Sequence, residues 1–442
     1  MATRRALLAC AAALAAGSLV LGGTTAAHAD SGVTGITVQE AHNDWTNNGK
    51  IVLSLTAPSA VKNVKVSLYS METQQTVATV GNFELTSGTA QNGTWKNRGR
   101  IQLPALGSYR IDVSASDEGG DTLSAAGVGY FYYAVQTNMN DTKVDRTTVD
   151  YQHRSVTISG HLMGQWPGSG AITPMGGLTV AVNSYMEYAE VTTAADGSFS
   201  ATLPVTDQYQ NGIEAAFRYD PNHVFYNQSS SKTFPITVKK TATKIVETPS
   251  ERKVPFKGTV NSTSATLLWN SPTGWQPLAG KTMSSNSFGD FVQRTTDAGG
   301  NALFPATEPL WSNSSIAVGW RSDDLFLADA LASVDIMVVQ PAAFRSLTAT
   351  RSDAATVEVG GSMRFEGNLT PGTIPVNIQY SATGKGGWTT VATVPNARGN
   401  GEGYAFSTTA PQAGAGYWRA TYTGAPQFEN AVSQVVYVAA AP

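Results

Sequence analysis

The feature that most constrains this chain is a dipeptide of an aromatic residue and arginine, which recurs four times in strand-like segments. The copies are Tyr109-Arg110, Phe217-Arg218, Trp320-Arg321 and Trp418-Arg419. Their arginines are 108, 103 and 98 residues apart. One such dipeptide is common, but four at nearly equal spacing indicate an internal repeat of about 100 residues.

Other features recur in register with the dipeptides. Three units have a Gly/Asp turn before a middle strand (ADGSF, DAGGNALF and GNGEGYAF) and end in an apolar run at 234–240, 334–340 and 435–441. Several single residues recur in the same way and are predicted to occupy equivalent places. They are an aromatic after the arginine (Phe225, Phe326, Phe428), a glycine near the start (Gly160, Gly258, Gly367) and a tryptophan after a Thr-Gly turn (Trp275, Trp388).

Short runs that alternate apolar and polar residues fill each unit, as in VKVSLYS (64–70) and YRIDVSA (109–115). Such runs between Gly, Asn, Asp and Pro are typical of half-buried antiparallel strands. Only DLFLADALAS (324–333) is ambiguous between strand and helix. Units of about 100 residues with about seven strands match a two-sheet sandwich. We therefore predict an all-β fold of tandem antiparallel β-sandwich domains of immunoglobulin-like type, with boundaries at 30–136, 137–240, 241–341 and 342–442.

The first 29 residues have the layout of a cleaved secretory signal peptide. A basic start with Arg4 and Arg5 precedes an apolar run over 6–22, and Ala27-His28-Ala29 is a small-x-small cleavage site. The apolar run is slightly short of the ~20 residues of a membrane-spanning helix. A lipoprotein-like reading of Cys10 is the alternative. We predict a secreted, extracellular protein that associates with the cell wall at most non-covalently.

Composition excludes several classes of protein. Cys10 is the only cysteine, so the mature chain has no thiol for a disulfide, a thiolate metal site or a nucleophile. Loss of Arg4 and Arg5 takes the formal charge from −3 to −5, and no basic patch indicates nucleic acid. After the signal, no apolar stretch indicates membrane insertion. The sequence does not indicate the oligomeric state.

The chain resembles secreted actinobacterial proteins with tandem bacterial immunoglobulin-like (fibronectin-type-like) repeats. The resemblance is carried by TKIVETPSERKVPFKGTV (243–260) and YWRATYTGAPQFENAVSQVVYV (417–438), covers most of 137–442 and is looser over 31–136. The segment LPALGSYRIDVSA also resembles a tyrosine corner, in which the Tyr109 hydroxyl bonds back to the backbone. The third unit departs from the pattern, with LFLADALAS where the fourth has QFENAVSQ. The resemblance implies a fold family and no ligand.

Strand alternation assigns the repeated residues to opposite faces of a sheet. Tyr109, Ile111 and Val113 should share the core face, whereas Arg110 and Asp112 share the outer face. The repeated arginines form either a ligand-binding stripe or, alternatively, amphipathic stems that cover the sheet while their charges stay in water.

The sequence predicts no catalytic, cofactor-binding or metal-ligating residues, since it has no H-E-x-x-H, no G-x-S-x-G and no phosphate-binding Gly loop. On one straight strand His153 and His161 would lie ~26 Å apart, too far to share a metal. Calcium favours oxygen-rich loops, and the sequence contains several, for which the alternative is that turn geometry alone selects the polar residues. The residues of these loops are Asp117, Glu118, Asp121, Asp220, Asn222, Asp323 and Asp324.

Aromatic residues in loops are the best indication of binding. Trp45, Trp166 and Tyr209 lie in Gly-, Asn- or Pro-rich segments, where they either stack on sugars or proteins or fold back as plugs. We predict a non-enzymatic extracellular binding or scaffold protein whose partner is a cell-wall glycan or an extracellular protein. The alternatives are a structural spacer without a small ligand and a carbohydrate-binding cell-wall protein.

Overall fold

The computed structural model describes residues 35–442 except 185–186, 208–211, 288–289, 306–307, 368 and 400–402. The predicted signal peptide lies outside these residues, as does Tyr209. The described residues form β-strands and no helix, so the predicted all-β fold is confirmed. The ambiguous segment 324–333 runs through turns into a strand that starts at Ala330.

Four groups of consecutive strands, called domains 1 to 4 here, each form a sandwich. The strands of domain 1 are β1 (Thr37–Asn43), β2 (Ile51–Thr56), β3 (Val61–Ser70), β4 (Gln75–Val80), β5 (Phe83–Gly88), β6 (Asn92–Asn97), β7 (Gly107–Asp117) and β8 (Thr122–Tyr133). One sheet has the order β1-β2-β6-β5 and the other β4-β3-β7-β8. These orders correspond to A-B-E-D and C′-C-F-G of an immunoglobulin-like sandwich.

Domain 2 divides the same plan into smaller sheets. Its strands are β9 (Gln136–Asn138), β10 (Lys143–Val144), β11 (Thr148–Val149), β12 (Ser155–His161), β13 (Met163–Gln165), β14 (Ile172–Pro174), β15 (Thr179–Asn183), β16 (Tyr188–Thr192), β17 (Ser198–Pro204), β18 (Glu214–Phe217), β19 (Ser229–Ser230) and β20 (Thr237–Val238). The sheets are β10-β12-β17, β16-β15-β18-β19 and β14-β13-β9. Near the domain's two ends, β11 and β20 pair in parallel.

Domain 3 has a larger second sheet. Its strands are β21 (Thr243–Pro249), β22 (Lys253–Pro255), β23 (Ser262–Ser271), β24 (Gly274–Pro277), β25 (Thr282–Ser287), β26 (Asp290–Thr295), β27 (Asn301–Pro305), β28 (Ser314–Trp320) and β29 (Ala330–Val339). Strand β23 pairs with β21, β24 and β27, and the second sheet has the order β22-β29-β28-β25-β26. Here too the early strand β22 and the last strand β29 are parallel.

Domain 4 returns to the order of domain 1. Its strands are β30 (Ala342–Arg351), β31 (Thr356–Phe365), β32 (Val376–Ser381), β33 (Thr389–Val394), β34 (Arg398–Gly399), β35 (Tyr404–Pro411), β36 (Gly416–Tyr422), β37 (Ala431–Val432) and β38 (Val436–Val438). The sheets are β30-β31-β35-β34 and β33-β32-β36-β37, with β38 also paired to β36. The Gly/Asp turns of the repeat lead in each case into the E strand, namely β17, β27 or β35.

The repeated aromatic residue lies in the core of every domain. Tyr109, Phe217, Trp320 and Trp418 are all buried, and Ile111 and Val113 are buried beside Tyr109, as alternation predicts. The Tyr109 hydroxyl donates a hydrogen bond to the Ala105 carbonyl at 2.7 Å, which confirms the predicted tyrosine corner. Burial also raises the pKa of Tyr109, so the hydroxyl stays protonated as a donor.

Two predicted equivalences of the repeat are wrong. Trp275 lies in β24, which forms a hairpin with the B strand β23, whereas Trp388 precedes β33, which pairs with the C strand β32. Gly258 follows the short strand β22, whereas Gly160 lies within the B strand β12. The error for Trp275 arises because a Thr-Gly turn after an apolar run looks the same in every hairpin, and only tertiary pairing decides which strand it follows.

The core of domain 3 is divided into two clusters. One cluster includes Ile245 and Ala265, and the other includes Val254 and Val260. Glu247 and Thr263 lie between them in sequence on inward-facing positions of β21 and β23. Neither carboxylate oxygen of Glu247 nor the Thr263 hydroxyl has a hydrogen-bond partner within the described residues. The other three domains each have one continuous cluster.

The chain segment that enters each of domains 2, 3 and 4 is fixed to that domain by the same pair of backbone hydrogen bonds, which we call the joint latch. At joint 1–2 the Val135 amide donates to the Phe225 carbonyl and the Asn227 amide donates to the Val135 carbonyl, both at 2.9 Å. The same pattern joins Thr241 to Phe326 and Ala328, and Gln340 to Gln427 and Glu429. The aromatic that recurs after the arginine, Phe225, Phe326 or Phe428, is therefore in or beside a latch at all three joints.

Candidate binding surfaces

Side chains of domain 1 reinforce the latch between domains 1 and 2. The side-chain amide of Asn48 in domain 1 donates to the backbone carbonyls of Ala134 and Gln165, each at 3.1 Å. The Gln102 amide donates to the Gly168 carbonyl at 2.7 Å. Gly49 has a φ of 81°, and its Cα faces the Pro167 carbonyl so closely that a Cβ would collide with it. These contacts hold the two domains against each other.

A cleft of about 300 Å³ lies at this joint, and we call it the joint cleft. Three apolar side chains of the cleft are exposed to solvent, namely Trp45 (68%), Tyr132 (49%) and Val224 (51%). Gln136 and Asn227 also line the cleft, and their side-chain amides form no hydrogen bond within the described part of the chain. The latch residue Phe225 also lines the cleft. Clefts at domain interfaces that combine aromatic walls with a few polar groups are typical binding sites.

The loop that carries Trp45 is built around the buried carboxylate of Asp44. One carboxylate oxygen accepts hydrogen bonds from the amide and hydroxyl of Thr46, and the other accepts one from Lys96 at 2.9 Å. Burial alone would raise the pKa of Asp44, but the bonds from Thr46 and Lys96 outweigh it and hold that pKa well below its usual range. Trp45 is therefore held in water by an ordered loop, with its ring stacked on His42 at 6.3 Å.

The outer face of domain 2 carries a second surface, called the domain 2 groove, with a volume of about 410 Å³. Tyr188 and Tyr219 stand exposed along a floor that includes Ala181. The polar groups of the groove are already paired with one another. Those pairs are the Tyr188 hydroxyl with Glu190, Arg218 with Asn183 at 3.2 Å, and His223 with Asp220 at 2.7 Å. The bond to Glu190 raises the pKa of Tyr188, and the bond from His223 lowers the pKa of Asp220.

The corresponding face of domain 3 is called the domain 3 groove and has a volume of about 780 Å³. Phe291 and Leu331, which are 66% and 77% exposed, flank a floor that contains Ser284 and Gly319. Leu331 belongs to LFLADALAS, the segment in which the third unit departs from the repeat. That departure in sequence thus becomes an exposed apolar side chain.

The three loop aromatic residues that the sequence offers as binding residues differ in their exposure in the structure. Trp45 is exposed, as a binding residue requires. Trp166 instead packs on the core of domain 2 and donates from its indole nitrogen to the Thr173 hydroxyl at 2.8 Å, so it is a plug. Tyr209 lies outside the described residues. Tyr132 was missed, although four consecutive aromatic residues on one strand (130–133) must place two outside because side chains alternate.

Three of the repeated arginines, Arg110, Arg218 and Arg419, contact neighbouring side chains on the outer faces. Arg110 pairs with Asp112 at 2.8 Å and lies 4.3 Å from the centre of the Tyr69 ring. Arg419 donates to Gln379 at 2.8 Å and lies 4.2 Å from the centre of the Trp388 ring. These contacts favour the interpretation of arginines as stems that cover the sheet.

The predicted acidic loops do not gather carboxylates. Asp117 is buried and binds the Asp121 amide at 2.8 Å, whereas Glu118 and Asp121 are exposed. Asp323 pairs with Lys281 and Asp324 with Arg154. His153 and His161 each pair with their own aspartate, Asp150 and Asp141. Within the described ranges, no three His, Cys, Asp or Glu side chains are grouped closely enough to hold a metal ion.

No protein-family model and no curated protein matches the sequence. The chain is similar to several solved structures of multi-domain proteins. One is a Ca²⁺-stabilized adhesin with which an Antarctic bacterium binds ice, at 17% identity and a TM-score of 0.25 over 91% of this chain and 98% of that one. Another is domains A168–A170 of titin, at 9% identity and a TM-score of 0.28 over 91% and 98%. A third is the N-terminal part of the outer capsid protein Hoc of bacteriophage RB49, at 13% identity and a TM-score of 0.32 over 70% and 96%.

Scores this low carry no argument about function, and the immunoglobulin-like assignment rests on the strand orders described above. No helix in the described part of the chain has the length and apolar character to span a membrane.

Proposed function

We propose that this chain is a secreted, non-enzymatic protein that binds a cell-wall glycan or an extracellular protein outside the cell. The observation that carries the proposal is the joint cleft, where Trp45, Tyr132 and Val224 are exposed together at a latched joint. Exposed aromatic rings supply a large contact area with a polar edge, and for that reason they are frequent in binding surfaces.

A structural spacer is the second candidate, and the repeated latch favours it. Three joints with the same pair of backbone hydrogen bonds would restrict bending of the array. A spacer and a binding protein are compatible if the latches position the cleft at a defined place along the chain.

A pull-down distinguishes the two candidates. The mature chain, residues 30–442, is immobilised and exposed to wall polysaccharides and to secreted proteins of the producing organism, with calcium and with a chelator. We expect retention of at least one fraction and its loss in Trp45→Ala. The matched control is Trp275→Ala, which removes an exposed tryptophan from domain 3. If no fraction is retained under either condition, the spacer interpretation replaces the proposal.

A further inference from the structure

The joint cleft offers a rigid ring at a low cost in entropy. The loop of Trp45 is fixed by the bonds to Asp44 and by the bond of the Asp44 amide to the Lys50 carbonyl at 2.8 Å. A ligand that stacks on Trp45 therefore does not have to order the loop first, and preorganisation of this kind raises affinity.

The described residues that line the cleft present almost no free charge, which favours an uncharged ligand. Asp44 is the only Asp, Glu, Lys, Arg or His among the described lining residues, and its oxygens are occupied by Thr46, Asn47 and Lys96. Among the described lining residues, Gln136 and Asn227 have side-chain amides without a hydrogen bond, and a side-chain amide both donates and accepts. A partner with many hydroxyl groups, apolar ring faces and no net charge matches this set.

The domain 2 groove fits such a partner less well. Its two tyrosines are exposed, but Glu190, Arg218 and Asp220 bring charges, and these groups are already paired. A ligand there would have to break the pairs, and each broken pair reduces the net gain.

We propose that the joint cleft binds a neutral polysaccharide, which stacks a sugar ring on Trp45 and hydrogen-bonds to Gln136 and Asn227. Trp45 comes from domain 1, whereas both amides come from the part of the chain that forms domain 2. The site exists only while joint 1–2 is closed. This inference rests on the proposed function and names the class of partner.

The test uses the mature chain in native affinity electrophoresis and on an array of neutral oligosaccharides. The soluble probes are a β-1,3-glucan, a mannan and an arabinogalactan as neutral polymers, heparin and polygalacturonate as charged polymers, and a polyproline peptide. We expect binding to at least one neutral glycan. We expect Trp45→Ala to weaken it at least about tenfold, and Gln136→Ala or Asn227→Ala to weaken it about twofold to fivefold each.

Two variants keep the test independent of folding. Trp45→Phe retains a ring and should keep most of the affinity, whereas Trp275→Ala should not change it. Each variant is compared with the wild type in thermal unfolding, and an unchanged midpoint shows that a loss of binding is local.

Several results would overturn the inference. These are no retention by any neutral glycan, retention that Trp45→Ala leaves unchanged, and preference for the charged polymers or for the polyproline peptide. If the chain is still retained by a wall or secreted-protein fraction in such a case, the proposed function stands and only the ligand class is wrong. Failure with every probe and every fraction defeats both.

Discussion

Domains 2 and 3 pair their central strands in the same register, yet they present different surfaces. Ala181 pairs with Glu190 and Ala216, and Ser284 pairs with Gln293 and Gly319, each residue 103 positions later in the chain. The inward aromatic position keeps its apolar character, as the buried pair Phe217 and Trp320 shows. Outward positions change, and Tyr188 and Glu190 are replaced by Phe291 and Gln293. The fold thus requires a large apolar side chain at this inward position, whereas the outward positions differ between the two domains.

The cores of domains 2 and 3 also differ. The core of domain 2 is continuous, whereas that of domain 3 is divided beside Glu247 and Thr263. A third inward position also changes from apolar to polar, because the buried Val182 of domain 2 corresponds to Ser285 in domain 3, but the Ser285 hydroxyl has a partner and donates to the Ala317 carbonyl at 2.8 Å. We infer that domain 3 gives up stability that domain 2 keeps, since buried polar groups without partners cost free energy.

The largest expected effect comes from truncating the repeated aromatic residue in each domain. Phe217→Ala and Trp320→Ala should each lower the free energy of unfolding by about 3–5 kcal/mol, because both side chains are buried. Calorimetry should show a shift in the transition of the altered domain alone. Equal shifts in both transitions would contradict the proposed division into units 137–240 and 241–341.

A smaller effect should come from Glu247 and should depend on pH. Burial raises the pKa of Glu247 from 4.5 to about 7, and the charge of Arg252 offsets only part of this increase. Because the folded-state pKa is the higher one, the stability associated with the protonated form is complete below about pH 4.5 and is lost as pH rises to about 7. Glu247→Gln should therefore stabilise domain 3 by about 2 kcal/mol at pH 8 and have little effect at pH 4.

Urea unfolding at the two pH values measures this difference. Glu358→Gln is the matched control, because Glu358 lies exposed on β31. A pH-independent effect of Glu247→Gln would mean that burial of the charge is not what weakens domain 3.

The contact between domains 2 and 3 should contribute less. Arg154 of domain 2 pairs with Asp324 of domain 3 at 2.7 Å and lies over the rings of Tyr151 and Phe326 at 4.5 and 5.1 Å. A double-mutant cycle of Arg154→Ala and Asp324→Ala should give a coupling energy of about 0.5–1 kcal/mol, because the arginine is partly exposed. A coupling near zero would show that this ion pair adds nothing to the stability of the joint between domains 2 and 3.

The smallest effect on stability should come from the outer faces. Leu331→Ser in domain 3 and Tyr188→Ser in domain 2 should change the free energy of unfolding by no more than about 0.5 kcal/mol. Only Leu331→Ser should reduce the fluorescence of a hydrophobic dye bound to the chain, because the domain 3 groove is the apolar one. Equal loss in both variants would remove the distinction between the two grooves.

The sequence predicts the fold well where the signal is periodic. The buried series Tyr109, Ile111 and Val113 and the tyrosine corner both follow from strand alternation and local spacing. The placement of Trp275 could not be predicted in this way, because one hairpin looks like another until the partners of its strands are known. The polar residues in the core of domain 3 have no periodic signature either, since Glu247 alternates with its neighbours as an apolar residue would.

The candidate site was predicted only in part. Trp45 is visible in sequence as an aromatic residue in a polar loop, and it is exposed. Gln136 and Asn227 are 91 residues apart and carry no motif, so only the folded joint brings them to the same cleft as Trp45. Trp166 has the same local signal as Trp45 and is a plug, because exposure depends on what the rest of the fold packs against a loop.

The parallel pairing of early and late strands has a mechanical consequence. In domain 2 the rungs are Thr148 with Thr237 and Val149 with Val238, and in domain 3 three such rungs join β22 to β29. When the ends of the chain are pulled apart, parallel strands slide past each other and their rungs share the load in shear, whereas antiparallel edge strands peel open one rung at a time. We expect single-molecule pulling to rupture domains 2 and 3 at higher force than domains 1 and 4. The middle of the array would then resist tension while its ends give way first.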